Sequence, residues 1–497
     1  MNTDKRLLIG IDQGTTGTTV LVVNPGLEVV GNWYGTHKQC RPGPGRLEHD
    51  PQEILESVIE GVASVLKELG AEAKHVVGIG LANQGETVCA WDINTGQALY
   101  NAIVWSDARG NEQIDSVSDE QKQRLREITG LEPDCYFSAA KMLWMLENVP
   151  EVRKALEENR LAIGTLDSWL IWRLSGEQVY VTDHSTASRT MLYDLGKGKW
   201  SAEAAKIMGL PRLPLAEIVP SCGQIAELTH ECWGGTRLGL RASLVDQPAA
   251  LFGHGCWQEN QAKMTYGTGC FILVNSGDKI TSENKGLLRS VAWHLAGKNT
   301  LMQDGGVYAV GSLIGWLEHN CEWVRKAEHI DEMLADNEPG GDLIFVPCMD
   351  GLSAPYWRRD ARGMLVGLSL ATKPTDIIRA AVDGIAHQVA DIIECVPAEL
   401  ATVRADGGLS ACKYLMQRQA DLLGVEINVS KNREMTALGA AAMAGLGTGV
   451  WPAETLLELI HHIPTEKYTP RVGVQERQSQ RQRWRKAIEL VLTAANI

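Results

Sequence analysis

The fold is decided by the stretch Leu7–Val23, which reads LLIGIDQGTTGTTVLVV. Two apolar runs flank a short polar segment, and this pattern predicts a β-hairpin. Glycines in the turn allow close backbone approach, and inward-pointing turn amides form a nest that suits an anion such as phosphate. Asp12, at the end of the first predicted strand, could hold a hydrated Mg²⁺ beside that phosphate. On this stretch alone, an ordinary polar loop remains the alternative.

The bulk properties narrow the class of protein. A chain of 497 residues is too long for one compact core, so two or more domains are expected. Its net charge of −14 argues against nucleic acid or an anionic membrane as the main partner. Eleven scattered cysteines with no Cys-x-x-Cys pair, and no apolar run of membrane-spanning length, predict a reduced cytoplasmic protein.

The elements after the hairpin predict an α/β fold. A third strand is expected over 27–33, and the run Asp50-Pro51-Gln52-Glu53 predicts a helix start with a stop at Gly70. A buried strand over 75–81 follows, and the order β-β-β-α-β indicates a mixed sheet with a crossover helix. Polar residues 83–87 come after that strand, where α/β proteins bind ligands, although a simple turn would also suit them.

A second landmark is the segment 244–253, where Asp246-Gln247 ends a predicted strand and Pro248 begins a small-residue helix. Asp246 is either a helix cap or a functional carboxylate, and these roles are compatible. Residues 262–274 again read as strand, Gly-Thr-Gly turn and strand. Two such hairpins half a chain apart predict two similar domains that face across a cleft.

Three further segments have predicted secondary structure, and three common motifs are absent. The polar cluster 182–189 is predicted to be a loop, and 436–446 a small-residue helix. Residues 402–408 are predicted to end a strand in Asp-Gly-Gly and to lead into a helix. The P-loop, dinucleotide-binding and Gly-x-Ser-x-Gly patterns are all absent from the sequence.

Taken in order, these motifs resemble those of FGGY-type carbohydrate kinases, with glycerol kinase as the nearest branch. The resemblance covers about residues 7–451. It rests on Asp12-Gln13-Gly14-Thr15-Thr16, Asn83-Gln84-Gly85-Glu86-Thr87, Asn101-Ala102-Ile103-Val104-Trp105, the segment Asp246–Gly253, Tyr266-Gly267-Thr268-Gly269, Ala354-Pro355-Tyr356-Trp357 and Asp406-Gly407-Gly408.

The resemblance implies two ribonuclease-H-like (actin-like ATPase) domains, 1–252 and 253–497, with ATP and Mg²⁺ in the cleft between them. Asp246 would be the base that takes the proton from the substrate hydroxyl, and Asp12 would hold Mg²⁺ through water. The residues implied to contact ATP are Thr15, Thr16, Gly17, Thr268, Gly311 and Gly408. Those implied to shape the polyol pocket are Gln84, Gly85, Glu86, Trp105, Tyr136, Asp246 and Gln247. A homodimer or homotetramer is also expected.

One departure from the family pattern bears on the substrate. Glycerol kinases carry an arginine that hydrogen-bonds glycerol where this chain has Gly85. Loss of a charged hydrogen bond costs about 1.5–3 kcal/mol and also vacates space. The sequence therefore predicts an ATP-dependent kinase of a polyol or sugar larger than glycerol, with four or five carbons. The alternatives are a glycerol kinase proper and a non-catalytic sugar-binding regulator on the same fold.

Three further departures concern contacts to phosphate or adenine. Thr19 stands where the family has an arginine, Gly315 where it has a glutamine, and Cys412 where it has an asparagine. The segment 234–237 matches only part of an effector loop found in some glycerol kinases, so no regulation is predicted from it.

Overall fold

The computed structural model describes residues 5–210, 212–279, 286–326, 329–335 and 343–495. The chain forms two compact units, both built from discontinuous segments. The first unit contains residues 1–255, 289–302 and 434–462, and the second contains 256–288, 303–433 and 463–497. The predicted division at residue 252 lies near the first crossing, but two later segments of the chain return to the first unit.

The strands, in chain order, are β1 (Leu7–Gln13), β2 (Gly17–Val23), β3 (Val29–Thr36), β4 (Glu48–His49), β5 (Val76–Asn83), β6 (Val88–Asp92), β7 (Ala102–Ile103), β8 (Leu161–Thr165), β9 (Val181–Asp183), β10 (Tyr193–Asp194), β11 (Lys199–Trp200), β12 (Glu217–Val219), β13 (Cys222–Thr229), β14 (Arg237–Val245), β15 (Gln261–Tyr266), β16 (Cys270–Gly277), β17 (Leu288–Leu295), β18 (Lys298–Val307), β19 (Ile344–Val346), β20 (Met364–Val366), β21 (Thr402–Asp406), β22 (Ile427–Ser430) and β23 (Thr465–Tyr468).

The α-helices are α1 (Pro51–Leu69), α2 (Asn111–Asp115), α3 (Asp119–Thr129), α4 (Ser138–Asn148), α5 (Pro150–Glu157), α6 (Leu166–Leu174), α7 (His184–Ala187), α8 (Ala202–Ile207), α9 (Asp246–Gly253), α10 (Gly311–His319), α11 (Ile330–Ala335), α12 (Pro374–Ile393), α13 (Lys413–Leu423), α14 (Met435–Gly447), α15 (Ala453–His461) and α16 (Val474–Ala494). None of the helices in the described ranges is long and apolar enough to cross a membrane.

The first unit is organised around a six-stranded sheet in the order β13-β14-β5-β1-β2-β3. The hairpin β1–β2 is antiparallel, whereas β5 runs parallel to both β1 and β14. Helix α1 begins as predicted: the Asp50 side chain accepts the Gln52 N–H, and Pro51 occupies the first position. Its apolar stripe packs on Ile9, Ile11 and neighbouring strand residues, and Gly70 ends it.

Helix α14 packs directly against the backbone of the same sheet. Side chains alternate along a strand, so Gly10 faces away from its neighbours Ile9 and Ile11. A Cβ at Gly10 would lie 2.0 Å from the Ala437 carbonyl oxygen, and one at Gly80 would lie 2.0 Å from that of Ala440. These positions require glycine because no side chain fits between the helix and the sheet.

The sheet of the second unit has its strands in the order β18-β16-β15-β21-β22-β23. Only the part of β18 from residue 303 onward belongs to this unit. The predicted hairpin over 262–274 forms as β15–β16 and is antiparallel, while β15 and β21 run parallel. Helices α12 and α13 pack against each other and cover an apolar core built on these strands. Helix α16 contacts α13, and its buried side chains form a smaller apolar cluster with β19.

The prediction for residues 182–189 was wrong. Strand β9 ends at Asp183, whose carboxylate accepts the backbone N–H groups of Ser185 and Thr186 and so caps the short helix α7. The Ser221 hydroxyl also donates to Asp183 at 2.6 Å. A polar sequence is therefore ordered and buried here, because its hydroxyl groups satisfy a buried carboxylate.

Candidate functional site

The site in the first unit is set by the aligned ends of three parallel strands. Gln13 of β1 pairs in register with Asn83 of β5, and Asn83 in turn pairs with Val245 of β14. The segments that follow these strands therefore emerge at one edge of the sheet. They are the turn 14–17, the segment 84–87 and the start of α9, where ligands bind in open α/β sheets.

The hairpin turn is tight and tied to its neighbours. The Gly14 N–H donates to the Gly17 carbonyl at 2.9 Å, which closes the turn. Thr15 is half-buried and Thr16 is exposed. The indole N–H of Trp105 donates to the Thr15 hydroxyl oxygen at 2.8 Å, so the hydroxyl hydrogen of Thr15 can be donated in another direction.

Gln84 is fully buried beneath this turn. Its side-chain N–H groups donate to the Gln13 side-chain oxygen at 3.0 Å and to the Gly14 carbonyl at 3.3 Å. Its side-chain oxygen accepts the Thr87 hydroxyl at 3.0 Å. The amide of Gln84 is thus engaged in holding the turn against the end of β5.

Two other carboxylates act on Asp12 near the end of β1. Asp12 Oδ1 is buried and accepts no hydrogen bond from the described residues. Burial, and then the nearby carboxylates of Asp246 and Glu434, raise the pKa of Asp12 well above its usual value. An oxygen in this setting fits a divalent cation, which would supply the missing positive charge.

The described residues contain no group of three or more His, Cys, Asp or Glu side chains arranged as a complete metal site. Mg²⁺ commonly uses one or two carboxylates and completes its shell with water and phosphate oxygens. Asp12 is the residue that would hold it.

Glu86 forms a buried ion pair that the sequence analysis missed. Arg189 Nε donates to Glu86 Oε1 at 2.6 Å, and Arg189 Nη1 donates to the Ser290 hydroxyl at 3.1 Å. Burial raises the pKa of Glu86 to about 7, although Arg189 acts in the opposite direction. No local pattern signals a partner 103 positions away in sequence.

An aromatic wall lies beside this pair. The rings of Trp105 and Tyr136 meet edge to face with centroids 5.4 Å apart. The Arg189 guanidinium lies 5.8 Å from the Tyr136 ring centroid and 5.3 Å from that of Phe137. The predicted pocket residues Glu86, Trp105 and Tyr136 are therefore brought together in the first unit.

A buried lysine fixes the segment that carries Tyr136. Lys141 Nζ donates to the carbonyl oxygens of Cys135 at 2.8 Å, Tyr136 at 2.5 Å and Phe137 at 3.4 Å. Its side chain is fully buried, and burial lowers the pKa of Lys141 to about 8. The ammonium replaces backbone partners that this irregular segment lacks.

Asp246 begins helix α9 directly after β14. The helix N-cap is Val245, and no side-chain capping bond is made from that position. The carboxylate of Asp246 accepts the Gln247 backbone N–H at 2.6 Å, so it also binds the first turn. Asp246 and Gln247 are both half-buried, which leaves part of each side chain accessible.

The remaining predicted residues lie in the second unit. Exposed Thr268 is in the turn between β15 and β16, and its carbonyl accepts the N–H groups of Val310 and Ser312 at the start of α10. The Gly311 N–H donates to the Gly267 carbonyl at 3.0 Å, and a Cβ at Gly311 would lie 2.6 Å from that oxygen. The close approach of α10 to this turn explains the glycine.

Gly408 follows β21, whose Asp406 pairs with Thr265 of β15. A Cβ at Gly408 would meet no atom within 4 Å, so its surface is open. It borders a cavity of about 530 Å³ whose lining residues are Glu318, Lys326, Asp331, Gly408, Leu409, Ala411, Cys412 and Arg433. The second unit thus brings Thr268 and Gly311 together, with Gly408 at the end of the adjacent strand.

The three departures in sequence have different surroundings. The Thr19 hydroxyl donates to Glu434 at 3.2 Å. The Cys412 thiol lies 3.5 Å from Asp331 Oδ1, which also accepts the Tyr414 backbone N–H, and Asp331 Oδ2 accepts the Lys413 backbone N–H. A Cβ at Gly315 would meet nothing within 4 Å, so the missing glutamine leaves open space.

Comparisons with known proteins agree with this architecture. Residues 7–253 match the N-terminal domain of the FGGY family of carbohydrate kinases, and residues 262–448 match its C-terminal domain. The chain is 36% identical over 488 residues to glycerol kinase 2 of Thermotoga maritima, which covers 97% of this chain and 98% of that protein. It is 37% identical over 489 residues to a glycerol kinase of Caldanaerobacter subterraneus, with the same coverage.

Solved structures give the same result. The Plasmodium falciparum glycerol kinase with ADP superposes with a TM-score of 0.91 at 31% identity and covers 98% of both chains. A xylulose kinase from Rhodospirillum rubrum has a TM-score of 0.85 at 22% identity, covering 98% of this chain and 99% of that one, which is a likeness of fold.

Proposed function

The chain belongs to the FGGY family of carbohydrate kinases, enzymes that phosphorylate an alcohol group, and we propose that this member transfers a phosphoryl group from ATP to a hydroxyl of a polyol or sugar larger than glycerol. The single observation that carries the substrate class is Gly85, which is buried and uncharged where the glycerol kinase motif has an arginine. A ligand rich in hydroxyl groups suits the carboxylate, amide, indole and phenol groups of the pocket.

Asp246 is proposed as the general base. Phosphoryl transfer needs positioning, charge neutralisation and one group that accepts the hydroxyl proton. Asp246 lies at the carboxyl end of β14, half-buried, at the same sheet edge as the segment 84–87. Glu86, Trp105, Tyr136 and Gln247 would orient the substrate. Gln84 would act by positioning the turn, because its own amide is engaged.

The proposed nucleotide contacts are Thr15, Thr16 and Gly17 from the first unit and Thr268, Gly311 and Gly408 from the second. Asp12 would hold Mg²⁺, whose charge stabilises the phosphate oxygens when it is bound. The orphaned oxygen of Asp12 and the open face of Gly408 support these assignments.

A coupled assay of ADP release with glycerol, tetritols, pentitols and ketopentoses tests the substrate class. The proposal expects kcat/KM for a four- or five-carbon substrate to exceed that for glycerol by at least about tenfold, the lower end of the affinity lost with one charged hydrogen bond. The second candidate is a glycerol kinase proper, favoured by the 36–37% identity to glycerol kinases over nearly the whole chain. A clear preference for glycerol would establish that candidate instead.

The role of Asp246 is tested by Asp246→Asn. Loss of a general base should lower kcat by about 10²–10⁴-fold while ATP binding, measured by calorimetry, stays within a few fold. Asp50→Asn is the matched control, because Asp50 caps α1 and asparagine caps helices equally well. If both variants keep near-normal kcat, Asp246 serves only the start of α9.

A further inference from the structure

Gly85, two residues after the end of β5, lies against Val245, the last residue of β14. Strands β5 and β14 are parallel, with Asn83 opposite Val245, so the segment that follows Asn83 passes beside the end of β14. A Cβ at Gly85 would lie 2.9 Å from Val245 Cγ1, 3.6 Å from its Cγ2 and 3.9 Å from its Cβ. A methyl group of Val245 therefore stands where a side chain at position 85 would begin.

The valine has little freedom to move away. It is 4% exposed, and its backbone N–H donates to the Ser185 hydroxyl at 3.0 Å. A β-branched side chain is also stiff at its first torsion. A contact of 2.9 Å with such a group requires a real displacement of the chain or of the methyl group.

This contact lies between the two carboxylates of the candidate pocket. Glu86 follows Gly85, Asp246 follows Val245, and the charge of Asp246 acts on Glu86 to raise its pKa. The side chain that lies against Gly85, between these two positions in sequence, is the aliphatic group of Val245. It offers no hydrogen-bond donor to a hydroxyl group.

We infer that Val245 is a specificity-determining residue of the candidate pocket, and that positions 85 and 245 together determine which substrate fits. The valine fills the volume from which an arginine would extend, and it presents methyl groups to the carbon chain of a longer polyol or sugar. This inference rests on the proposed function. It adds that restoring an arginine at position 85 alone does not restore glycerol specificity, because Val245 obstructs it.

Four proteins test the inference: the wild type, Gly85→Arg, Val245→Ala and the double variant. Val245→Ala removes both methyl groups and keeps the Cβ, which at 3.9 Å makes an ordinary contact. Gly85→Arg alone should lower Tm and reduce kcat/KM for every substrate. The double variant should regain most of that Tm and shift the ratio of kcat/KM for glycerol to that for the longer substrate by about tenfold or more toward glycerol, as one charged hydrogen bond predicts.

Gly85→Arg combined with Val62→Ala is the control, since Val62 is a fully buried valine of α1 outside the pocket. It should not rescue Gly85→Arg. Equal rescue by both alanines, or a Gly85→Arg variant with wild-type Tm and the full shift toward glycerol, would overturn the inference. If the wild type phosphorylates none of the substrates, the proposed function fails, whereas the coupling of Tm between positions 85 and 245 still reports on their contact.

Discussion

The indole N–H of Trp105 donates to the hydroxyl oxygen of Thr15 at 2.8 Å. One residue belongs to the proposed polyol pocket and the other to the proposed phosphate turn. The same indole ring also packs edge to face on Tyr136. The hydrogen bond therefore joins the two halves of the site within the first unit and orients the hydroxyl hydrogen of Thr15.

Trp105→Phe should keep the ring contact and remove this hydrogen bond. A net loss of about 1 kcal/mol predicts a fivefold rise in KM for ATP, with a smaller effect on KM for the polyol. Steady-state kinetics with each substrate varied in turn measures both. Trp451→Phe is the control, because it removes an indole bond of the same 2.8 Å length to the Pro25 carbonyl in another part of the unit. Equal effects from the two variants would contradict the linkage.

The pKa of Glu86 predicts a pH dependence of substrate binding. Burial raises this pKa to about 7, and only the ionised carboxylate offers all its oxygens as acceptors. We expect kcat/KM for the polyol to fall below pH 7 by up to about tenfold per pH unit, and Glu86→Gln to abolish that fall. Because the pKa of Glu86 is higher in the folded protein than in the unfolded chain, folding between these pKa values is coupled to protonation of Glu86. The contribution of Glu86 to the free energy of unfolding is therefore fully present below pH 4.5 and is lost as the pH rises through about 7.

Arg189 should set the pH at which kcat/KM begins to fall on the acid side of the profile, referred to below as the acid limb. Its charge lowers the pKa of Glu86 against the effect of burial. Arg189→Gln is therefore expected to move the limb to higher pH, whereas Arg189→Lys, which retains the charge, should leave it closer to the wild type. The pH profile of kcat/KM distinguishes the two variants. An unchanged limb in Arg189→Gln would mean that the ion pair does not control Glu86.

The variant Asp12→Asn should change the Tm of the metal-free protein and the response of Tm to Mg²⁺ in opposite directions. Folding takes up a proton at Asp12 because its folded pKa is raised, so wild-type stability from this group is lost as the pH rises above 3.8. Without Mg²⁺, the variant should gain Tm relative to the wild type as the pH is raised from 5 to 9. Added Mg²⁺ with ADP should raise Tm of the wild type more than that of the variant, and Asp50→Asn should respond as the wild type does. A variant with a full Mg²⁺ response would show that Asp12 is not the metal ligand.

Lys141→Met should disturb the polyol pocket selectively. The ammonium bonds three successive carbonyl groups around Tyr136, and its loss leaves them without their charged donor. We expect KM for the polyol to rise about tenfold, with KM for ATP changed less than twofold, at a temperature well below Tm of the variant. Lys154→Met, at an exposed ion pair with Glu158, is the control for loss of a lysine.

Local signals in the sequence predicted the parts of the fold that depend on neighbours in the chain. The hairpin Leu7–Val23 and helix α1 follow from apolar periodicity, Pro51 and Gly70. The candidate residues Glu86, Trp105, Tyr136 and Asp246 were instead implied by the resemblance to the family, and their roles stay predictions.

Contacts between distant segments could not be found in this way. The pairing of Arg189 with Glu86 and the fit of Val245 against Gly85 depend on which strands are neighbours in the sheet. The ordered structure of residues 182–189 depends on a hydrogen bond from Ser221, which lies in the connection between β12 and β13. The return of residues 434–462 to the first unit places α14 against the glycine-lined face of its sheet, a contact between segments far apart in sequence.

That fit has a consequence for synthesis on the ribosome. Residues 1–255 emerge first, yet the face of their sheet that contains Gly10 and Gly80 is covered only when α14, residues 435–447, has been made. Until then the nascent chain exposes an apolar surface without its partner. A fragment that ends near residue 255 should therefore aggregate, and addition of a segment carrying α14 should rescue its solubility.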